Sequence, residues 1–232
     1  MKAVILAGGL GTRLRPFTEV IPKPLLPVGE KSVLEIQIER LRKFGFDEIY
    51  LATNYKSDYL ERFIGDGSHL GVRVQFSRET QPLGTAGPLT LLREKLTEPF
   101  LVMNGDILTL ADYGKMFQFA LDKGALLTIA IKQHITPYAF GDVFFDGDYV
   151  TGIEEKPKII KYILAGIYVM RPEVLELIPP NTYYGMDLLI KDMLARGLPV
   201  VKYELHEYWL DIGQPADYQQ AQEDARQGRF NV

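Results

Sequence analysis

Glycines and cationic side chains lie close together near the start of this sequence, in the stretch VILAGGLGTRLRPFTEVIPKPLLPV. Gly8, Gly9 and Gly11 directly follow a short apolar run, where they let the backbone turn sharply and bring its N–H groups close to a ligand. Arg13 adds a forked, permanently charged donor, and Lys23 lies between two prolines that keep its backbone non-helical. Phosphate is the ligand that suits this set, so the stretch predicts a nucleoside triphosphate site. A glycine-rich turn that merely connects a strand to a helix is the alternative.

A candidate metal ligand, Asp106, comes directly after the apolar run PFLVM in the sequence NGD. An aspartate just past the carboxyl end of a strand can reach a ligand crevice, and Mg²⁺ is usually held by one or two carboxylates together with phosphates and water. Because Asn and Gly are also standard turn residues, NGD read alone equally describes a turn.

An adjacent acid and base, Glu155 and Lys156, lie in the segment GIEEKP, residues 152–157. A carboxylate accepts hydrogen bonds from two hydroxyls and an ammonium group neutralises a phosphate, so this pair suits a sugar phosphate. An exposed charged turn before Pro157 is the alternative.

The elements that must position these residues alternate along the chain. Short apolar runs predict strands at 3–7, 48–53, 72–77, 99–103, 125–131, 163–170 and 200–205. Amphipathic spacing predicts helices at about 32–44, 58–64, 88–96, 111–123, 171–177, 184–195 and 216–226. Alternation of this kind is typical of βαβ units, so we expect one α/β domain with a doubly wound, mostly parallel, Rossmann-like sheet. A hairpin at 144–150 predicts a small antiparallel excursion near 140–165.

Composition limits the function further. The 232 residues carry a net charge of −4, which argues against a surface that coats nucleic acid. There are no cysteines, which excludes disulfides and thiolate metal sites and fits a cytoplasmic location. No apolar run approaches 18 residues, so we expect no membrane span. The three histidines lie far apart without ligand spacing, and no zinc site is expected.

The motifs resemble those of a known family. GGLGTRLRPFTEVIPKPLLPV is similar to the signature of sugar-1-phosphate nucleotidylyltransferases, a GGxGTRLxPxT opening followed by KPLxPV. The resemblance continues in LGTAGPL, YAFGDV, GIEEKP, ILAGIYVM and WLDIGQP, and covers nearly the whole chain. LGTAGPL looks most like the mannose-1-phosphate guanylyltransferase branch. Because the chain stops soon after WLDIGQP, the resemblance implies a short form without the C-terminal β-helix of many such relatives.

Residue roles are carried over from the family pattern as follows. The resemblance implies nucleotide contacts at Leu6, Ala7, Gly8, Gly9, Gly11, Thr12, Gln81, Gly84 and Thr85. It implies sugar-phosphate contacts at Gly141, Glu155, Lys156 and Gly166. Arg13 and Lys23 would be the catalytic cations, and Mg²⁺ would be held by Asp106 and by Asp211, delivered on an edge strand opposite it. We expect about residues 1–110 to form the nucleotide-binding half of the single domain 1–232 and about 111–232 the sugar-phosphate half.

The activity implied is nucleotidyl transfer in nucleotide-sugar biosynthesis: an NTP and a sugar 1-phosphate give an NDP-sugar and pyrophosphate. GTP is favoured over UTP or dTTP by resemblance, and mannose, glucosamine, glucose and heptose phosphates are not separated. Two other classes stay open, a non-catalytic nucleotide-sugar-binding regulatory subunit and a nucleotidyltransferase for another phosphate such as phosphocholine. Neither nucleic acid nor a membrane is an expected partner, and any homo-oligomer is expected to use the α/β domain itself.

Overall fold

The computed structural model describes residues 1–230. Its strands, in chain order, are β1 (Lys2–Leu6), β2 (Pro27–Val28), β3 (Lys31–Ser32), β4 (Glu48–Thr53), β5 (Arg73–Arg78), β6 (Phe100–Asn104), β7 (Ile107–Thr109), β8 (Leu127–Pro137), β9 (Asp142–Asp146), β10 (Tyr149–Glu154), β11 (Lys158–Met170), β12 (Val200–Leu205) and β13 (Trp209–Asp211). Its α-helices are α1 (Phe17–Val20), α2 (Val33–Lys43), α3 (Ser57–Ile64), α4 (Tyr113–Lys123), α5 (Met186–Ala195) and α6 (Pro215–Arg226).

A seven-stranded sheet forms the centre, in the order β12-β8-β11-β6-β1-β4-β5. Only β11 runs antiparallel to its neighbours, so the predicted mostly parallel sheet is confirmed. Successive residues of β1 point to opposite faces, and both faces are covered. Ile5 packs in the core that includes α2, α3 and α4, whereas Val4 packs in the core that includes α5. The sheet is therefore doubly wound, as predicted.

Two segments predicted as helices are short 3-10 helices instead, Gly87–Leu92 and Pro172–Leu177. The first is tied to the chain before α5, because the Tyr184 carbonyl accepts hydrogen bonds from the N–H groups of Ala86 and Gly87 at 2.9 and 3.0 Å. The second ends directly before Ile178 and two prolines. Segments this short gain little from α-helix propagation, and 3-10 geometry satisfies their few backbone groups.

Two strands, β8 and β11, are longer than the apolar runs that predicted them. β8 continues to Pro137 and β11 begins at Lys158, so the two pair beyond the sheet as a two-stranded ribbon. The predicted hairpin is confirmed: β9 and β10, which lie between β8 and β11 in the chain, pair antiparallel. The hairpin is longer than predicted, because its strands begin at Asp142 and end at Glu154. We call residues 133–164, the ribbon and its hairpin together, the arm.

In residues 1–230, no helix combines the length and apolarity that crossing a membrane requires.

Candidate active site

The carboxyl ends of β1, β4, β5 and β6 border a cleft of about 530 Å³. Ten of the predicted site residues line it: Leu6, Gly8, Gly9, Gly11, Thr12, Arg13, Lys23, Gly84, Thr85 and Asp106. Ala7 lies behind the glycine loop, buried, with its N–H donated to the Ala52 carbonyl at 2.8 Å. The cleft has the size and position that small-molecule sites take in open α/β sheets.

The glycine loop after β1 depends most on Gly11. Its φ of +62° lies in the left-handed region, and an added Cβ would come within 2.8 Å of Thr18 Cγ2. The Thr18 hydroxyl donates to the Gly11 carbonyl at 2.8 Å, which fixes the turn against the start of α1. At Gly9, in contrast, a Cβ would meet nothing within 4 Å, because this part of the loop faces the open cleft.

We expect Gly11→Ala to destabilise the fold by about 1–3 kcal/mol, because both the backbone conformation and the contact with Thr18 oppose a side chain. Thermal unfolding measures this. Gly197→Ala is the matched control, since Gly197 also has a positive φ, +68°, but open space around its Cβ. Equal melting temperatures for the two variants would contradict the role of the Thr18 contact.

Lys23 lies at the centre of the charged end of the cleft. The 3-10 helix Lys23–Leu25 places it there, and its side chain is only 10% exposed. Its ammonium group forms a short ion pair with Asp106 and lies 3.9 Å from Asp211 Oδ1. The two carboxylates hold this buried lysine from both sides and fix its position.

The two aspartates meet because β7 and β13 pair. Asp106 directly precedes β7, and the last residue of β13, Asp211, is opposite Ile107. The Ile212 N–H donates to the Asp106 carbonyl at 3.0 Å and closes the pair. These strands form a separate two-stranded sheet, so Asp211 does not come from the edge of the main sheet. The structure thus brings the two predicted aspartates together around Lys23.

The electrostatics of this pair favour a cation. Burial and the neighbouring Asp106 charge raise the pKa of the Asp211 carboxyl, against the lowering effects of Lys23 and Arg13. One oxygen of each carboxylate, Oδ1, is buried without a hydrogen-bond partner. The donor set therefore fits a divalent cation. Within residues 1–230 no group of three or more His, Cys, Asp or Glu side chains could hold a metal, so further ligands would have to be phosphate oxygens and water.

Arg13 completes the charged end from the opposite side. Its guanidinium nitrogens lie 3.5 Å from the position that a Cβ would take on Gly213, two residues after Asp211. Arg13 is exposed to the cleft, whereas Lys23 is buried at its floor. The two cations thus approach the same space from the glycine loop and from the 3-10 helix.

The cleft lining also includes two residues that the motifs do not indicate, Asn54 and Glu79. Each directly follows the carboxyl end of a parallel strand, β4 or β5, and this position is the signal that could have found them. Glu79 Oε2 accepts the Leu83 N–H at 2.8 Å, while Oε1 lies 2.9 Å from the position of a Cβ on Gly8. Burial raises the pKa of the Glu79 carboxyl, opposed by the Leu83 hydrogen bond.

Two of the predicted nucleotide-binding residues form hydrogen bonds from their side chains to the backbone of this protein. The Gln81 amide donates to the Asn181 carbonyl at 2.9 Å, and Gln81 is outside the cleft lining. The Thr85 hydroxyl accepts the N–H of Met186, the first residue of α5, at 2.8 Å. Gly84 has a φ of +81°, and a Cβ there would come within 2.7 Å of the Tyr184 carbonyl oxygen. These contacts hold the loop against the chain before α5.

The predicted sugar-phosphate residues form a separate group. On the arm, a Cβ at Gly141 would lie 3.0 Å from Glu155 Oε2, so these two are neighbours. Glu155 and Lys156 are exposed and do not line the cleft. Gly166 is closer to it, because a Cβ there would lie 2.7 Å from the Asn104 side-chain amide, which does line the cleft.

Comparisons with known proteins agree with this geometry. A family model described as nucleotidyl transferase matches residues 2–228. The probable mannose-1-phosphate guanylyltransferase 1 of Oryza sativa subsp. japonica is 39% identical over 227 residues, which are 94% of this chain and 63% of that protein. The chain thus spans less than two thirds of the length of this relative.

Two solved structures are similar to this chain over nearly its whole length. A protein from Bacillus anthracis described as a glucose-1-phosphate thymidylyltransferase superposes with a TM-score of 0.80 at 26% identity, covering 100% of this chain and 99% of the other. HddC from Yersinia pseudotuberculosis superposes with a TM-score of 0.76 at 30% identity, covering 97% of this chain and 99% of the other. HddC has also been solved in complex with GMP-PN.

Proposed function

Since this chain belongs to the nucleotidyl transferase family, we propose that it transfers a nucleotidyl group from a nucleoside triphosphate to a sugar 1-phosphate. The observation that carries the proposal is the charged end of the cleft, where Lys23 lies between Asp106 and Asp211 beside the glycine loop. Two anionic substrates must be brought together there, and this cluster supplies fixed cations together with a carboxylate pair for a metal.

The reaction needs positioning rather than a nucleophilic side chain. A phosphate oxygen of the sugar 1-phosphate attacks the α-phosphorus, and the bond from that phosphorus to the oxygen bridging it to the β-phosphate breaks. The pyrophosphate leaves with that oxygen. Because the attacking oxygen is already ionised near neutral pH, no general base is required. Arg13 holds the leaving pyrophosphate, and Lys23 orients the α-phosphate and the attacking phosphate, so that repulsion between them falls.

The cofactor we propose is Mg²⁺, held by the free oxygens of Asp106 and Asp211. When bound, it supplies charge neutralisation at the α-phosphate. The chain's contribution is to hold both carboxylates at the meeting of β7 and β13, with Lys23 fixed beside them. We propose the cytoplasm as the location, where nucleoside triphosphates are available.

GTP is the nucleotide we propose, on the basis of Glu79, which lines the cleft directly after β5. A carboxylate only accepts hydrogen bonds, and guanine presents adjacent N–H donors at N1 and N2. One Glu79 oxygen is occupied by the Leu83 N–H, which fixes the carboxyl group and leaves its other oxygen near Gly8. Uracil and thymine offer an acceptor beside a single donor, so they match an amide better than a carboxylate.

We expect Glu79→Gln to lower kcat/KM for GTP by about 10- to 100-fold and to lower it less for UTP or dTTP. The Gln oxygen would keep the Leu83 hydrogen bond, so its amide nitrogen would confront the guanine donors. Steady-state kinetics with each nucleotide measures the ratio. Glu98→Gln, which makes the same change at an exposed position outside the cleft lining, is the control. An unchanged preference in Glu79→Gln would remove Glu79 from base recognition.

For the sugar we propose mannose 1-phosphate, because the similar plant proteins are named for it. We assign its phosphate and hydroxyls to the half formed by about residues 111–232, with contacts from Gly141, Glu155, Lys156 and Gly166. The nucleotide belongs to the half formed by about residues 1–110.

A pyrophosphate-release assay with Mg²⁺ tests the whole proposal. It crosses the common NTPs with 1-phosphates of mannose, glucose, glucosamine and heptose. We expect the strongest release with GTP and mannose 1-phosphate. Strong release with UTP or dTTP would keep the chemistry and overturn the assignment of Glu79. Absence of release with intact nucleotide-sugar binding would identify a regulatory binding subunit instead.

A further inference from the structure

Gln37 is a buried polar side chain that does not line the cleft. It lies on α2 between Ile36 and Ile38 and is only 2% exposed. Its amide nitrogen donates to the Asn104 carbonyl at 2.9 Å and to the Ile107 carbonyl at 2.8 Å. Its amide oxygen is buried and has no hydrogen-bond partner in residues 1–230. Because a buried oxygen without a partner lowers stability, packing alone does not account for a glutamine here.

The two carbonyls that Gln37 contacts lie on either side of Asp106. Asn104 is the last residue of β6, in the seven-stranded sheet, and Ile107 is the first residue of β7, in the small sheet with β13. A single nitrogen with two hydrogens therefore ties the two sheets together across the turn that carries Asp106. The same junction sets the place of Asp211, because Asp211 pairs with Ile107. The position of both carboxylates relative to the main sheet thus depends on this turn.

The turn between β6 and β7 packs closely against the end of β1. The Gly105 N–H donates to the Leu6 carbonyl at 2.9 Å, and a Cβ on Gly105 would come within 2.8 Å of the same oxygen. This contact fixes the β6 side of the turn at the point where Leu6 leads into the glycine loop. The hydrogen bonds from Gln37 hold the β7 side as well, so they help to set the distance between the glycine loop and the two carboxylates.

We propose that Gln37 is a positioning residue for the metal and the triphosphate, and that it acts through the backbone of the turn without touching either of them. This role depends on the proposed Mg²⁺ site at Asp106 and Asp211. A metal bound both to the carboxylates and to the phosphates requires these two parts of the cleft to lie at a fixed distance, because Mg²⁺ demands near-ideal octahedral geometry. Groups that orient metal ligands typically contribute about 10- to 100-fold to metal affinity.

GTP-binding titrations without sugar phosphate test this role, because no turnover takes place in them. Isothermal titration calorimetry gives the dissociation constant of GTP once in Mg²⁺ and once in EDTA, and the ratio of the two constants measures the contribution of the metal. Gln37→Met keeps the length of the side chain and removes both N–H donors. We expect this variant to lower the ratio by about 10-fold, with the constant in EDTA within about twofold of that of the unmodified chain, since the glycine loop is unaltered.

Arg40→Met is the matched control. Arg40 lies one turn further along α2, is 6% exposed and donates to the carbonyl of Ala111, after β7, at 3.0 Å. Its replacement also takes a buried donor away from a backbone carbonyl, so a loss of core stability alone would affect both variants alike. We expect Arg40→Met to keep the ratio of the unmodified chain. Gln37→Asn keeps the amide but is one methylene shorter, and it should also lower the ratio. It carries the test if circular dichroism shows that Gln37→Met does not fold.

A lower ratio in the Gln37 variants, together with a higher Mg²⁺ concentration for half-maximal pyrophosphate release, would support the positioning role. An unchanged ratio in the Gln37 variants, or an equal fall in Arg40→Met, would overturn it and leave Gln37 as a group that only stabilises the core. A GTP affinity that does not respond to Mg²⁺ in the unmodified chain would overturn the metal site, and the role of Gln37 with it. The unmodified chain thus reports on the metal site, and the Gln37 variants report on the positioning role.

Discussion

Lys23→Met is expected to reduce kcat/KM for nucleotidyl transfer by about 10²–10³-fold, because it removes a buried cation from the place where two phosphates would meet in the proposed reaction. The effect is large because Lys23 is fixed in advance. Its ammonium group is held by Asp106 and Asp211, so no reorganisation is needed when charge moves from the α-phosphate to the leaving group. The loss should appear in kcat more than in nucleotide affinity, which the glycine loop and Glu79 would largely retain.

Steady-state kinetics and separate nucleotide-binding titrations distinguish these contributions. Removing Lys23 also leaves two facing carboxylates without their cation, so thermal unfolding must show that the variant is folded at the assay temperature. Lys31→Met is a suitable control, since Lys31 is also ion-paired, to Glu39, but on the surface. Turnover in Lys23→Met close to that of the control would refute the catalytic assignment.

Sequence patterns predicted the cleft-lining residues that lie close together in the chain. The glycine loop, Arg13 and Lys23 fall within one stretch of chain, and the requirement for glycine at Gly11 follows from a turn that the residues around it also form. The sequence also indicated Asp106 and Asp211, although they are far apart in the chain, because each lies in a recognisable motif.

Glu79 and Asn54 were missed because their importance depends on strand order. Neither belongs to a motif, and each reaches the cleft only because β4 lies beside β1, and β5 beside β4, in the sheet. Gln81 shows the opposite case. The resemblance implies a nucleotide contact there, yet its amide donates to the carbonyl of Asn181, a residue far away in the chain. Contacts between distant parts of the chain decided both.

The arm shows a similar limit. The apolar runs at 125–131 and 163–170 predicted two strands confined to the buried core, because an apolar run usually indicates burial. The strands continue instead as an exposed ribbon, paired from Gln133 to Pro137 with residues 158–162. A sequence does not distinguish an apolar run that is buried in its own chain from one that stays exposed.

Asp211→Asn and Asp106→Asn should have similar effects on activity but opposite effects on stability. Each removes one of the two carboxylates that would hold Mg²⁺, and we expect each to lower turnover by about 10²-fold or more and to raise the Mg²⁺ concentration needed for half-maximal rate. Pyrophosphate release measured across a Mg²⁺ titration tests this, and an excess of EDTA should abolish the activity of the unmodified chain. An unchanged Mg²⁺ dependence in both variants would place the metal elsewhere.

The stability difference follows from the position of Lys23. Asp106 is its close partner, so Asp106→Asn leaves a buried ammonium group with only a distant carboxylate at 3.9 Å and should lower the melting temperature. Burial and the Asp106 charge disfavour the ionised Asp211 carboxyl more than Lys23 and Arg13 favour it, because together they raise its pKa, so Asp211→Asn relieves a net penalty. We expect its melting temperature to stay level or to rise by roughly 1–2 °C, since its side chain is 43% exposed and solvent screens the repulsion. A variant that loses turnover while keeping or gaining stability would mean that Asp211 is retained for the reaction at the expense of the fold. A fall in stability equal to that of Asp106→Asn would mean that Asp211 serves mainly to hold Lys23.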